Sequence, residues 1–284
     1  MEKILLSFGH GFVAQALARR LIADGWTVYG TTRNPSKVSD LRSDSVKPLV
    51  WGKDDIGAVI SRATHILSSV APDEQGDPVL AAFGGEITRA APNFAWAGYL
   101  STTGVYGDHG GGWVDESTPL TPTTRRGTRR VDAENAWRAI PGLPLHVFRL
   151  AGIYGPGRSA FDRLRDGTAR RIIKPGQVFS RTHVDDIAQV LAASISRPNP
   201  GAAYNVCDDD PAPPQDVIEE AAKLIGVPVP PEVPFEQADL GPMAQSFYSE
   251  SKRVSNDRIK DELGVTLLYP TYREGLRAIL EAET

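Results

Sequence analysis

The sequence predicts an α/β fold, a doubly wound parallel sheet followed by a smaller, irregular α/β lobe. Three observations predict it. Short apolar runs alternate with stretches of helical periodicity from residue 4 to residue 150. A glycine pair, Gly9 and Gly11, closes the first apolar run and opens the first helical stretch. After Leu150 the alternation loosens.

The elements follow in order. Ile4-Leu5-Leu6-Ser7-Phe8 is a buried strand closed by glycines. Val13, Ala16, Leu17 and Leu21 then mark one face of a helix that Gly25 stops. Thr27 to Thr32 reads as a second strand and Pro48 to Trp51 as a third, before a weak helix over Ile56 to Arg62. His65 to Val70 is a strand, Pro78 to Ala91 a helix with proline at its start, and Gly98 to Thr102 a strand. Arg125 to Ala139 is a helix and Leu145 to Leu150 a strand. Beyond it, Val184, Ile187, Ala188, Leu191 and Ile195 form an apolar helical face. Short strands are expected at Ala203 to Val206 and near Ser246 to Tyr248, and helices at Pro214 to Ile225, Ser255 to Leu263 and Tyr272 to Glu281. The proline-rich run from Val227 to Pro234 is an extended connector.

Composition narrows the function. The chain has 284 residues, with 31 Lys and Arg against 35 Asp and Glu, a formal charge of −4 that argues against a general nucleic-acid binder. A single cysteine, Cys207, excludes an internal disulfide and a cysteine-rich metal site. The uncharged stretch from Ala90 to Gly107 contains Pro92 and Asn93 and does not suit a bilayer, and the apolar run after Met1 is too short for a signal-peptide core. A cytoplasmic protein with no membrane partner is therefore expected.

Gly9-His10-Gly11-Phe12-Val13-Ala14 has the form G-x-G-x-x-A between a strand and a helix. The first glycine permits the tight turn and the second lets a pyrophosphate approach the backbone. Ala14 lets helix and strand pack closely, and the helix N-terminus favours the phosphate charge. This is the phosphate loop of a Rossmann-type dinucleotide site, with Gly9, His10, Gly11, Phe12 and Val13 as cofactor-binding candidates. An NAD site would place an acid at the end of the second strand. Here that region reads Thr31-Thr32-Arg33-Asn34-Pro35-Ser36-Lys37, and the first acid is Asp40. Arg33, with Thr32 and Lys37, suits a 2′-phosphate, so NADP is expected over NAD. By fold analogy Ser69, after the fourth strand, lies along the cofactor's ribose.

Four further motifs stand in order: Tyr99-Leu100-Ser101-Thr102-Thr103-Gly104-Val105-Tyr106-Gly107, Phe148 to Gly157, Arg181-Thr182-His183-Val184-Asp185-Asp186-Ile187-Ala188, and Tyr204-Asn205-Val206. With them the chain resembles the extended, atypical short-chain dehydrogenase/reductases of the NAD-dependent epimerase/dehydratase family over nearly its whole length. The resemblance implies a dinucleotide-binding domain over residues 1–150. Residues 151–284 would be mainly a substrate lobe, from which a strand-helix-strand over 179–206 returns to the sheet. It also implies hydride chemistry, in which a Tyr phenol moves a proton, a Lys four residues later lowers its pKa and holds the ribose, and a Ser or Thr orients the substrate oxygen.

Thr102 falls at the Ser/Thr position. In the helix, Gly127 and Glu134 set a register that puts Arg126 at the Tyr position and Arg130 at the Lys position. An arginine does not exchange protons near neutrality. Arg130 can still hydrogen-bond ribose hydroxyls and Arg126 can hold a substrate anion. Tyr106 is the nearest remaining phenol and a candidate substitute acid. Thr103, Tyr154 and His183 are substrate-binding candidates, although His183 equally suits a turn cap and Asp185 a helix N-cap. His183, Asp185 and Asp186 lack a third imidazole or thiol, so no metal is expected.

The resulting reading is an NAD(P)-binding protein of the epimerase/dehydratase type, an oxidoreductase or epimerase on a small polar or nucleotide-linked substrate. The alternative is a catalytically deficient dinucleotide-binding redox sensor. A homodimer through the Pro78–Ala91 and Arg125–Ala139 helices is expected, because Ala81, Ala82, Ala133 and Ala136 permit close packing, although the arginines there oppose it.

Overall fold

The computed structural model describes residues 2–283. The first half runs β1 (Ile4–Phe8), α1 (Phe12–Ala23), β2 (Thr27–Thr32), α2 (Val38–Ser43), β3 (Lys47–Val50), α3 (Ile56–Ile60), β4 (His65–Ser68), α4 (Pro78–Ala90), β5 (Trp96–Thr102), β6 (Trp113–Val114), α5 (Arg125–Arg138) and β7 (Leu145–Leu150). The second half runs β8 (Gly152–Tyr154), α6 (Ala160–Arg165), β9 (Arg171–Ile173), β10 (Arg181–His183), α7 (Val184–Ser196), β11 (Ala203–Val206) and α8 (Pro214–Leu224). It ends with β12 (Glu232–Pro234), α9 (Pro242–Tyr248), β13 (Arg253–Val254), α10 (Asp257–Asp261) and α11 (Tyr272–Glu281).

Seven strands form one parallel sheet in the order β11-β7-β5-β4-β1-β2-β3. Strand order reverses between β1 and β4, which opens a crevice at their carboxyl ends. Side-chain alternation assigns the two faces. Leu5, Leu67, Leu100 and Phe148 pack against α1 and α7, whereas Ile4, Leu6, Tyr99 and Val147 pack against α3, α4 and α5. Three two-stranded ribbons, β8 with β10, β9 with β12 and β6 with β13, build the second lobe beside the crevice. Its own core joins Tyr154, Phe161, Ile218, Tyr272 and Leu276.

Two expectations about elements are corrected. Ser246 to Tyr248 is not a strand but the end of helix α9, which starts at Pro242 just after Gly241. Three alternating residues carry too little pattern to set a period, and proline at the first helical position favours the helix. The connector from Val227 to Pro234 is extended as expected, but its last three residues pair with β9. Among the described residues no helix is long and apolar enough to cross a membrane.

Candidate functional site

The glycine loop is built to leave backbone donors free. Gly9 has φ +72°, and a Cβ there would come within 2.9 Å of Val70 Cγ2, so the position admits only glycine without strain. The Gly9 N–H donates to Thr31 Oγ1 at 2.9 Å, His10 N–H to the Thr31 carbonyl at 3.1 Å and Gly11 N–H to the Gly9 carbonyl at 2.7 Å. These bonds fix the turn. The first intrahelical bond of α1 is Gln15 N–H to Gly11 carbonyl at 2.8 Å, and no side chain caps the helix. The N–H groups of Phe12, Val13 and Ala14 precede that bond and supply the anion-binding end of the helix. The cradle fits a dinucleotide pyrophosphate.

This loop opens into a cleft of about 1280 Å³ between the sheet and the second lobe. Gly9, Gly11, Phe12, Val13 and Ser69 form one end of it; Thr102, Thr103 and Gly104 line its floor; α5, α6, α9 and α11 contribute walls. Eight arginine and lysine residues line it against two carboxylates, Asp162 and Glu250. Both acids are committed. Asp162 closes the capping box of α6 at Ser159, while Glu250 accepts from Thr123 Oγ1 at 2.7 Å and from Lys252 Nζ at 2.8 Å. In a chain of net charge −4, a basic cleft of this kind favours anions.

No family model matches the chain. A conserved protein of unknown function from Silicibacter pomeroyi DSS is 61% identical and superposes at a TM-score of 0.95, covering 99% of both chains. Protein YeeZ of Escherichia coli K12 is 27% identical over 286 residues, 95% of this chain and 97% of that one. A solved protein of Methylobacillus flagellatus, assigned to the NAD-dependent epimerase/dehydratases, is 26% identical at a TM-score of 0.74 and covers 99% of this chain and 98% of its own. The chain shares its fold, over nearly its whole length, with proteins of the NAD-dependent epimerase/dehydratase group and the short-chain dehydrogenase/reductase superfamily. Less similar proteins share its fold, among them a human epimerase family protein with NADPH, 18% identical at a TM-score of 0.76 over 98% of this chain and 99% of that one, and a Bacillus anthracis dTDP-glucose 4,6-dehydratase in complex with NAD, 19% identical at 0.78 over 99% and 96%.

The arginines expected at the catalytic positions lie on α5. Thr124 Oγ1 caps the helix by accepting from Gly127 N–H at 3.1 Å, so Arg126 sits in the first turn and Arg130 one turn on. Both line the cleft with Thr102. Arg130 is buried and anchored: Nη1 donates to the Leu100 carbonyl at 2.7 Å and to Tyr99 Oη at 3.2 Å. Arg126 stands over the Phe247 ring of α9, 5.7 Å from its centroid. Desolvation by the cleft walls, then the charges of Arg130 and Arg158, push its pKa below the usual arginine range. Thr102 Oγ1 accepts from Gly104 N–H at 3.2 Å and keeps its proton for another acceptor.

Five expected site residues, Tyr106, His183, His10, Thr32 and Arg33, do not line the cleft. Tyr106 is fully buried and does not line the cleft. Its phenol donates to Asn205 Oδ1 at 2.7 Å and accepts from Arg149 Nη1 at 3.0 Å, and burial, opposed by Arg149, pushes its pKa up to about 12. It is therefore no substitute acid. His183 is also buried outside the cleft, where Nδ1 caps α7 by accepting from Asp185 N–H at 3.2 Å and the ring packs on Tyr154 and Tyr269. The cap, not substrate contact, is its role. The His10 ring turns inward, filling the space left by Gly30, with both nitrogens buried; only its backbone belongs to the loop.

Tyr154 lines the cleft with its ring, but its hydroxyl abuts Gly275 of α11. Burial, then Asp208, raises its pKa. Thr32 and Arg33 lie at the end of β2 beyond the cleft wall. Thr32 Oγ1 bonds Asn34, and Arg33 is exposed. The Ser69 hydroxyl is directed to the carbonyls of Phe8, at 3.0 Å, and Gly9. Among the described residues no group of three or more His, Cys, Asp or Glu side chains is placed to hold a metal ion.

The structure also places a pair that sequence reading missed. Lys252 and Glu250 are buried in the cleft wall, with Lys252 Nζ donating to the Gly107 carbonyl at 2.6 Å and to Glu250 Oε2 at 2.8 Å. In sequence, Ser249-Glu250-Ser251-Lys252 has the composition of a solvated turn, and no spacing marks it.

Proposed function

We propose that the protein binds NADP(H) and acts as an oxidoreductase or epimerase on a small polar or nucleotide-linked substrate held in the basic cleft. The observation that carries this reading is the uncapped N-terminus of α1, with its fixed glycine loop, opening directly onto Thr102 and Arg130. NADPH in the human relative and NAD in the Bacillus anthracis one support a nicotinamide dinucleotide. Arg33, with no acid near it in sequence before Asp40, supports the 2′-phosphate form.

Phe12 and Val13 N–H groups bind the pyrophosphate, and Arg130, fixed by Leu100, offers its remaining donors to ribose hydroxyls. Bound there, the dinucleotide supplies or accepts a hydride. Thr102 orients the substrate oxygen. Lys252 has two of its three N–H donors engaged and lines the cleft, so its ammonium takes the place of the missing phenol as the proton source.

The test is a fluorescence titration with NADPH and NADH, followed by a screen of nucleotide sugars and small carbonyl compounds at the nicotinamide absorbance band. Tight NADPH binding with substrate-dependent turnover supports the reading. One observation favours the redox-sensor alternative, namely that the Tyr106 phenol is held by Asn205 and Arg149 and the Tyr154 hydroxyl lies against Gly275. Tight binding with no turnover across the screen selects that alternative.

A further inference from the structure

The cleft's cations are not equally provided for. Arg129 pairs with Glu74, Arg130 with the Leu100 carbonyl, Arg181 with the carbonyls of Phe179 and Ala212, and Lys252 with Glu250. Arg125, Arg126, Arg158 and Arg163 have no such partner among the described residues, and of these four Arg126 and Arg158 are the two held on aromatic rings. Arg126 rises from the first turn of α5 and Arg158 from the loop that leads into α6, and both line the cleft. Each rests on an aromatic face, Arg126 on Phe247 at 5.7 Å and Arg158 on Phe12 at 5.9 Å. Stacking fixes the plane of a guanidinium and leaves its edge N–H donors unused. Neither side chain has a carboxylate or carbonyl acceptor among the described residues, and the cleft's own acids are held by Ser159 in one case and by Thr123 and Lys252 in the other.

Two stacked guanidinium groups near enough to feel each other's charge, with free edges and no counter-charge, are unfavourable until an anion arrives. We propose that Arg126 and Arg158, on facing walls of the cleft, form a clamp for an anionic group of the substrate, a phosphate or a carboxylate. Phe12 is the first residue of α1, so the clamp lies beside the glycine loop, and the substrate is an anion bound next to the dinucleotide. This also accounts for an arginine at the family's phenol position: Arg126 is a binding group and not a proton donor. The clamp's place in a substrate site rests on the function proposed above; the anion site itself does not.

The experiment is calorimetric titration of the full chain, alone and with NADPH, using inorganic phosphate and malonate as separate probes. Arg126→Gln and Arg158→Gln are compared with the native protein, and NADPH affinity is measured on each. The expected result is saturable binding of at least one probe, weakened tenfold or more by either substitution, with NADPH affinity unchanged within about twofold; Arg126→Lys, which keeps charge without the fork, falls between. Phosphate alone, or malonate alone, names the charged group. Unaltered probe binding in both variants, no saturable binding of either probe, or an equal loss of NADPH affinity overturns the clamp, the last by assigning the arginines to the cofactor. If the native chain binds probe and not NADPH, the proposed function fails and the anion site stands.

Discussion

The Arg149 guanidinium and the Glu134 carboxylate meet at 2.9 Å, Nη2 to Oε2, with side chains only 6% and 1% exposed. Ser101 Oγ donates to the same carboxylate at 2.6 Å, and Arg149 continues the network to Tyr106 and Asn205. This network joins α5 to β5, β7 and β11 and holds the helix that carries Arg126 and Arg130. Removing one partner strands a buried charge. Glu134→Ala is expected to destabilise the fold by about 3–5 kcal/mol, read by urea unfolding at pH 7. Tyr106→Phe is expected to lower stability slightly and leave NADPH binding unaltered; a loss of binding without unfolding would return the phenol to the site.

Substitution of Gly9 tests the cradle. Its φ is +72°, and Val70 Cγ2 lies 2.9 Å from where a Cβ would stand, so Gly9→Ala forces both backbone and neighbour to shift. NADPH binding is expected to weaken at least tenfold, measured by nicotinamide fluorescence, while circular dichroism stays native. Native affinity in this variant would place the dinucleotide elsewhere.

Cofactor choice is tested at Arg33. A charge-assisted bond to a 2′-phosphate contributes about 1.5–3 kcal/mol. Arg33→Ala should therefore cut the NADPH-to-NADH affinity ratio by about tenfold or more. An unchanged ratio would remove Arg33 from the site.

Two buried histidines set a pH response. Burial lowers the pKa values of His10 and His65 from 6.5 to about 4. Between those values the unfolded chain binds a proton that the folded chain refuses, so stability is full above pH 6.5 and falls as pH drops toward 4. Each histidine contributes a slope of about 1.4 kcal/mol per pH unit in that window. Urea unfolding at pH 7, 6 and 5 should show the decline, and His65→Phe should remove part of the slope. An identical slope in the variant would show that His65 does not contribute to it.

Lys252 is the proton source proposed for the cleft. Given a turned-over substrate, Lys252→Met is expected to lower kcat by about 10²-fold or more with little change in KM. Lys252→Arg should keep the charge but not the rate, because arginine holds its proton. A native pH–rate profile in Lys252→Met would end the assignment.

The sheet, its order of elements and the phosphate loop were all legible in the amino-acid sequence. They follow from local patterns: apolar runs, helical periodicity, and glycines whose reason is a single turn, as at Gly9. Legible too was that α5 carries Arg126 and Arg130, in a register read from Gly127 and Glu134. Glu134 sets it for a physical reason that only packing shows, its pairing with Arg149. Where side chains point was settled by the folded chain. Tyr106 and Tyr154 each lie four residues beyond a strand of the main sheet, β5 and β7, yet one phenol is locked onto Asn205 and the other lies against Gly275. Likewise Glu250 meets Thr123 across 127 residues of chain, and Arg126 meets Phe247 across the cleft. No local pattern encodes such contacts, because a charge in a turn has the same sequence signature whether water or a distant carboxylate, ring or carbonyl satisfies it.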